Sequence, residues 1–175
     1  MNIAIGSDHG GVELKAALVN ALAGAAKVVD MGPADKASCD YPDYAAKVAK
    51  AVASGEADFG ILVCRSGIGM SMAANRFQNV RAAVCATTDM ATITRQHNGA
   101  NVLCLGADVV SPSYAVEIAK TLSRLLSTRA SATRAAAGSS SARSVFPTAR
   151  GLCATTPRCL PRSKRRRSRR TPRST

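Results

Sequence analysis

Short runs of apolar residues alternate along this chain with longer segments of helical periodicity. The apolar runs cover residues 2–6, 27–32, 58–64, 81–86 and 101–106, and the helical segments cover residues 11–25, 40–55, 67–77, 88–98 and 111–126. Continuous apolar strands, rather than alternating ones, are typical of a parallel sheet that is covered on both faces. The alternation therefore predicts an α/β fold with a five-stranded parallel sheet between layers of helices.

The positive charge of the chain is confined to one end. Residues 1–126 contain 11 basic and 11 acidic residues, whereas residues 127–175 contain 13 basic residues and no acidic residue. The second segment is rich in Ser, Thr, Ala, Arg and Pro and has almost no apolar periodicity, so we expect it to be disordered. We divide the chain into a domain at 1–126 and a basic tail at 127–175, whose run KRRRSRR would bind nucleic acid only non-specifically.

Several classes of protein are disfavoured by the sequence. No apolar run is long enough to cross a bilayer, and we expect no signal peptide because the first strand leads directly into the polar Ser7-Asp8-His9. The six cysteines form no C-x-x-C pair and no metal-ligand spacing, so we expect no metal site. Cys85 and Cys104 lie in strand-like runs and are interpreted as small core residues. We expect a reducing, cytoplasmic location.

Candidate site residues gather at one edge of the predicted sheet, because ligands of such sheets bind outside the carboxyl ends of the strands. Ser7-Asp8-His9 follows the first strand, the segment VCRSGIGMS (63–71) contains the end of the third, and Gly106-Ala107-Asp108 follows the fifth. The sequence thus places three loops, one of them glycine-rich, at a common edge.

The glycine-rich loop is either an anion-binding turn or an ordinary connection from a strand to a helix. Unpaired N–H groups at a helix start form an anion site, and the positive helix end would favour the thiolate of Cys64. Such a thiolate could serve as a base or as a nucleophile. The loop therefore fits proton transfer next to a carbonyl group or acyl transfer by a cysteine.

The only two histidines, His9 and His97, lie in predicted loop or helix-end positions, which favours a functional role for both. Asp8 could orient the imidazole of His9 or cap the helix that follows, and both are compatible. Tyr41 could line the site or pack against the start of the helix at 40–55.

Five segments together resemble ribose-5-phosphate isomerase type B, the family that also contains the galactose-6-phosphate and allose-6-phosphate isomerases. They occur in the family's order and spacing: GSDHGG (6–11), DYPDYA (40–45), GILVCRSGIGMSMAANR (60–76), VRAAVC (80–85) and RQHNGANVLCLGADVV (95–110). The resemblance implies a Rossmann-like three-layer α/β/α sandwich and a homodimer with shared active sites. It implies neither a metal nor an organic cofactor.

The resemblance also implies the reaction and its residues. Ribose 5-phosphate and ribulose 5-phosphate would interconvert through an enediolate, with Cys64 as the base and His97 of the neighbouring subunit opening the sugar ring. Ser66 and the N–H groups of 66–69 would stabilise the enediolate. The remaining substrate contacts would come from Asp8, His9, Tyr41, Arg65, Gly67, Ile68, Gly69 and Asn98. A 6-phosphohexose is the alternative substrate.

Four positions depart from the family pattern. Arg65 stands where the family has glycine, and an arginine forced into a left-handed conformation there would cost roughly 1–2 kcal/mol. The family's His-Asn-Asp reads His97-Asn98-Gly99, and an expected phosphate-binding arginine is Asp108. The terminal helix is incomplete, because the family's Gly-x-Arg-His motif is missing. These departures support an alternative reading, an isomerase fold with impaired activity.

The tail also suggests a hypothesis about its own origin. STRASATR (127–134) can be encoded so that a one-base shift reads Asp-Glu-Gly-Glu-Arg-His-Pro, which resembles the missing family segment. The tail would then be a frame-shifted reading of an ordinary isomerase gene.

Overall fold

The computed structural model describes residues 1–137, and it describes side chains through residue 126. Residues 138–175 lie outside the described part. The predictions of a disordered tail beyond residue 137, and of non-specific nucleic-acid contacts by residues 164–170, therefore concern residues that the structure does not describe.

Five strands alternate with five helices along the described chain, as the sequence predicts. The strands are β1 (Asn2–Ser7), β2 (Lys27–Asp30), β3 (Phe59–Cys64), β4 (Ala82–Val84) and β5 (Val102–Gly106). The helices are α1 (Val12–Leu22), α2 (Tyr41–Ser54), α3 (Ile68–Ala74), α4 (Thr88–Asn98) and α5 (Pro112–Ala137).

All strand pairs are parallel, and the sheet has the order β2-β1-β3-β5-β4. The pairs Ser7↔Val63 and Cys64↔Gly106 align the carboxyl ends of the three central strands. These central strands are buried almost throughout, whereas β2 at one edge is largely exposed. The unbroken apolar runs of the sequence therefore correspond to strands that are covered on both faces.

The two faces of the sheet carry separate apolar cores. One core packs Ile5 and Ile61 against leucines of α1 and against residues of α4 and α5. The other packs Leu62 and Cys104 against α2 and α3. Burial of each large side chain in these cores contributes about 1.5–3 kcal/mol. The molecule is thus the predicted Rossmann-like three-layer α/β/α sandwich.

The crossover connections change direction between β1 and β3. The helix that follows β1 packs on one face of the sheet, and the helix that follows β3 packs on the other. A crevice forms at such a point outside the carboxyl ends of the strands. The loops after β1 and β3, which the sequence analysis selected, flank this crevice.

The final helix is longer than the sequence analysis predicts. We expected it to end at residue 126 and disorder to begin at 127, but α5 continues to Ala137. The segment STRASATRAAA lacks an apolar stripe, yet it is rich in alanine and arginine, which have high intrinsic helix propensity. Apolar periodicity alone therefore predicts too early an end for this helix.

Candidate active site

Main-chain hydrogen bonds join the loops that follow β1, β3 and β5. Each N–H of one loop donates to a carbonyl oxygen at the end of β3 or just beyond it. The pairs are Asp8 to Val63 (3.1 Å), Ala107 to Cys64 (2.8 Å) and Asp108 to Arg65 (3.0 Å). The three loops therefore form one continuous rim, and the sequence analysis correctly assigned them to the same edge of the sheet.

The turn between β3 and α3 depends on Gly67. Its φ is +78°, in the left-handed region, and a Cβ on this residue would lie 3.0 Å from the carbonyl carbon of Leu105. Glycine is favoured here because it adopts this φ without steric cost and because the neighbouring backbone leaves no space for a side chain. The turn brings the start of α3 against the end of β5.

Cys64 and Ser66 bind the first amides of this turn. The N–H of Gly67 donates to Sγ of Cys64 at 3.1 Å, and the N–H of Ile68 donates to Oγ of Ser66 at 3.3 Å. Cys64 is only 6% exposed. We refer to residues Cys64–Gly69 as the cradle, because the sulfur, the hydroxyl and the backbone amides lie together in this short segment.

The four cysteines of the described residues are free thiols, and they differ in their surroundings. Burial raises the pKa of Cys85 to about 11, and it also raises the pKa of Cys104, with smaller contributions from Cys64 and Cys85. Both residues lie in the apolar cores, as predicted, and their thiols stay protonated at neutral pH. Cys64 is the cysteine whose sulfur lies beside the backbone amides of the cradle.

Asp8 fixes the turn before α1. Its Oδ1 accepts hydrogen bonds from the N–H groups of Gly10 (2.9 Å) and Gly11 (3.0 Å). Nδ1 of His9 instead lies 3.3 Å from the carbonyl oxygen of Cys39 and 3.4 Å from its nitrogen. Of the two roles considered for Asp8, the structure shows the one in which the carboxylate binds amides at the start of the helix.

Cys39 is a neighbour of the site that the sequence analysis did not identify. It belongs to the connection between β2 and α2, which lies about 30 positions from His9 and has no apolar periodicity. Nothing in the sequence marks this contact, because it depends on how the connection folds back over the loop after β1.

The ring of Tyr41 lies against the cradle. Two of its ring carbon atoms are 3.1 Å from the position that a Cβ on Gly69 would occupy. Tyr41 is the first residue of α2 and is partly exposed. Of its two proposed roles, lining the site is the one that this contact supports.

His97 and Asn98 lie away from the cradle within one chain. They are exposed at the end of α4, which leads into the amino end of β5, whereas Cys64 lies beside the carboxyl end of β5. The length of β5 separates these two ends by roughly 13 Å. A single chain therefore does not bring His97 and Cys64 together.

Gly99, one of the departures from the family pattern, has a local structural reason. It follows α4 with φ of +65°, its N–H donates to the carbonyl oxygen of Arg95, and the next N–H, of Ala100, donates to the carbonyl oxygen of Thr94. This left-handed residue after a helix is the conformation in which glycine is most favourable.

The predicted strain at Arg65 is absent. Among the described residues, Asn79 is the non-glycine residue with a positive φ, and Arg65 does not have one. The left-handed position of the turn is Gly67, so the prediction placed the strain two residues too early. Instead, the guanidinium of Arg65 pairs with Asp108, with Nη1 3.4 Å from Oδ2.

The described residues contain neither a cluster of metal-binding side chains nor a helix that could span a membrane. Within residues 1–137, no group of three or more His, Cys, Asp or Glu side chains could hold a metal ion. None of the helices in this part combines the length and the apolar character needed to cross a membrane.

Comparisons with known proteins agree on one family. A sequence model described as ribose/galactose isomerase matches residues 3–137. Ribose-5-phosphate isomerase B of Escherichia coli is 46% identical over 119 residues, which cover 67% of this chain and 77% of that protein. The structure of ribose-5-phosphate isomerase B from Clostridium thermocellum superimposes with a TM-score of 0.69 at 40% identity, covering 80% of this chain and all of that chain.

A third match is a structure with a sugar phosphate. Ribose-5-phosphate isomerase B of Mycoplasma genitalium, solved with bound ribulose-5-phosphate, has a TM-score of 0.67 at 35% identity and covers 79% of this chain and 97% of that chain. The family match spans the three loops of the rim and all five strands except the first residue of β1. The chain therefore belongs to the ribose/galactose isomerase family.

Proposed function

We propose that this protein is a sugar-phosphate isomerase that interconverts ribose 5-phosphate and ribulose 5-phosphate through an enediolate. The observation that carries the proposal is the cradle, in which the sulfur of Cys64 and the hydroxyl of Ser66 lie beside the first amides of α3. Family membership supports the reaction class, and the ribose-5-phosphate isomerases among its relatives support the pentose.

The proposed chemistry is an internal proton shift. The thiolate of Cys64 removes the proton from C2 of the open-chain aldose, and electrons move to the carbonyl oxygen at C1 to give the enediolate. The same sulfur then returns the proton to C1 while the hydroxyl proton of O2 passes to O1, so that C2 becomes the ketone and C1 carries the hydroxyl. No net oxidation occurs, because C1 is reduced by the same two electrons that C2 loses.

The charge of the intermediate is stabilised by the cradle. We propose that Ser66 and the backbone N–H groups at Gly67, Ile68 and Gly69 donate to the enediolate oxygens. Donors held in place before the reaction stabilise developing charge without the cost of reorganisation. The N–H of Gly67, which donates to Sγ in the structure, would also stabilise the thiolate.

The sugar would lie between the cradle and the loop after β1. Asp8 keeps that loop in place, and His9, whose Nδ1 is directed at Cys39, would present Nε2 to a sugar hydroxyl. Tyr41 would cover the sugar beside Gly69. Because a base, an oxyanion site and a proton shuttle suffice for an aldose–ketose shift, we propose that no metal or organic cofactor takes part.

Ring opening would require a second subunit. His97 lies at the opposite edge of the sheet from Cys64, so we propose that His97, with Asn98 beside it, acts in the site of a neighbouring copy. Met90, Ile93 and His97 have the spacing of one helix face, and the two apolar side chains on it are exposed. A homodimer with shared active sites would cover this face of α4.

The location of the protein follows from the same chemistry. A reducing compartment keeps thiols such as Cys64 free to act as a base, and the four cysteines of the described part are free. We therefore propose that the protein works in the cytoplasm.

The test is turnover by the purified full chain on three substrates: ribose 5-phosphate, allose 6-phosphate and galactose 6-phosphate. We expect the highest kcat/KM with ribose 5-phosphate and formation of ribulose 5-phosphate. A higher value with either hexose phosphate would contradict the pentose assignment. Absence of turnover on all three would favour the alternative of an isomerase fold with lost activity, for which Asp108 and the altered tail remain the grounds.

A further inference from the structure

Arg65 extends across the loop that follows β1. A Cβ placed on Gly10 would lie 2.8 Å from Cγ of Arg65 and 3.4 Å from its Nε. The arginine side chain therefore runs directly over the main chain at Gly10, in a space that exists because residue 10 has no side chain. The side chain thus passes over the loop that borders the crevice between β1 and β3, and its Nη1 reaches Asp108 in the loop after β5.

The guanidinium and the thiol lie on different sides of this crevice. Cys64 packs with the core formed by α2 and α3, whereas Arg65 lies over Gly10, just before α1. A molecule in the crevice could therefore contact the base and the cation at the same time.

Asp108 is the partner of Arg65 in the structure, and the pair can separate readily. The contact is a single one at 3.4 Å, and the two side chains are 73% and 61% exposed. Exposed ion pairs of this kind are weak. The backbones are nevertheless held together, because the N–H of Asp108 donates to the carbonyl oxygen of Arg65. The side chains can thus change partners without any movement of the loops.

Arg65 is also the one lysine or arginine in the three loops of the rim, residues 7–11, 64–69 and 106–110. Lys15 is a buried cation in α1, the helix that follows the first of these loops. Its ammonium group already donates to both carboxylate oxygens of Asp30 and to the carbonyl oxygen of Pro33. A phosphate dianion that enters the crevice would therefore find its guanidinium partner at Arg65.

Phosphate suits this guanidinium better than Asp108 does. The planar fork of arginine makes two parallel hydrogen bonds to phosphate oxygens, and such charge-assisted bidentate contacts are stronger than a single long one. On the basis of the proposed isomerase function, we propose that Arg65 binds the phosphate of the substrate and that Asp108 is its resting partner, which the phosphate displaces.

The test uses kinetics of three full-length variants with ribose 5-phosphate. Arg65→Gln should raise KM roughly ten- to hundredfold, because it removes a charge-assisted hydrogen bond. Asp108→Asn should lower KM about two- to fivefold, because the competing carboxylate is weakly bound and repels phosphate. In both variants kcat should change less than KM. Arg76→Gln, which removes an exposed arginine after α3, is the matched control and should change neither value.

The opposite directions of the two changes separate this proposal from a structural role. If the pair only supported the fold, both variants would weaken binding. Arg65→Lys should restore part of the affinity, because it returns the charge without the fork. An unchanged KM in Arg65→Gln, or a rise in KM in both Arg65→Gln and Asp108→Asn, would overturn the proposal.

Calorimetric binding of ribose 5-phosphate at fixed ionic strength gives a readout that does not require turnover. The basic tail also attracts phosphate, but every variant carries it, so the difference between variants reports residue 65. Loss of binding in Arg65→Gln without turnover by the unaltered protein would refute the isomerase proposal and support the phosphate site. Turnover by the unaltered protein together with equal binding by Arg65→Gln would support the isomerase proposal and refute the phosphate site. Equal binding without turnover would refute both proposals.

Discussion

At the scale of single residues, Gly67 sets the geometry of the cradle. A Cβ there would meet the backbone of Leu105, and its φ is left-handed. We expect Gly67→Ala to lower the free energy of unfolding by more than the roughly 1–2 kcal/mol of the φ change alone. It should also reduce turnover, since the loop must move away from β5. Urea denaturation measures the first effect and initial rates measure the second.

Two other glycines separate the effect of the left-handed φ on stability from the effect of the close contact with Leu105. Gly55 has φ of +82° but open space around its Cβ position, so Gly55→Ala should cost only the φ term. Gly24 has open space as well and no left-handed φ, so Gly24→Ala should leave stability nearly unchanged. Equal losses for Gly67→Ala and Gly55→Ala would show that the approach to Leu105 is unimportant.

The buried thiol of Cys85 predicts a loss of stability in alkali. Its pKa is raised from 9.0 to about 11 in the folded protein. Between these values the unfolded chain has lost a proton that the folded chain keeps, so the free energy of unfolding falls as pH rises from about 9 to 11. Below pH 9 both states are protonated and the effect vanishes.

Denaturation curves of Cys85→Ala provide the comparison. Removing the thiol should make the decline between about pH 9 and 11 less steep, with the part due to buried Cys104 remaining, and the stability at neutral pH should fall slightly with the lost packing. The same slope in both proteins would mean that Cys85 is not buried as described.

Arg65 illustrates which site properties could not be predicted from the sequence. Its presence in a family glycine position suggested backbone strain, but the direction of its side chain depends on Gly10 and Asp108, which are distant in sequence. The sheet-edge rule places Asp8 beside the loop after β3 because it needs only the order of strands and loops, whereas it says nothing about Tyr41, whose role the sequence leaves open. Only the folded structure shows what these side chains contact, namely the amides of Gly10 and Gly11 for Asp8 and the backbone at Gly69 for Tyr41.

At the scale of elements, burial decided what the sequence could predict. Strands β1, β3 and β5 are apolar over most of their length because both of their faces are covered, so the apolar runs predict them. The position of β5 between β3 and β4 was not, since nothing in local periodicity reports the order of strands. The extension of α5 was missed because helix propensity, rather than an apolar stripe, supports its last turns.

Helix α4 carries a prediction about assembly. If His97 acts in the site of a neighbouring copy, Cys64→Ala and His97→Ala should each be inactive alone but should complement each other when coexpressed. A mixed dimer contains one site with both residues intact, so random pairing should restore about a quarter of the activity of the unaltered protein. Initial rates of the coexpressed mixture measure this, and mixed dimers isolated through two different affinity tags should show about half of the activity because one of their two sites is intact.

Failure of complementation has a clear meaning. Inactive mixed dimers of the two variants would show that His97 and Cys64 do not meet across subunits. Activity of His97→Ala by itself would show that ring opening does not need this histidine.

At the scale of the whole molecule, the tail and the domain differ in origin under the frame-shift hypothesis. Residues 1–126 are electrically neutral and residues 127–175 contain no acidic side chain, while the family match covers residues 3–137 and so extends into the tail. We expect a one-base shift in the coding DNA near codons 127–134 to restore the family's Gly-x-Arg-His motif. Determination of the coding DNA sequence checks this, and a reading frame without the motif would reject the hypothesis.

The central claim is that Cys64 is the base of a ribose 5-phosphate isomerase, and the most direct test compares turnover of the full chain with two cysteine variants. Cys64→Ala should lower kcat by about 10²–10⁴, with an unchanged circular dichroism spectrum. Cys85→Ala removes a thiol from the opposite core and should keep nearly full activity. Ribulose 5-phosphate formation by Cys64→Ala at the rate of the unaltered protein would contradict the account.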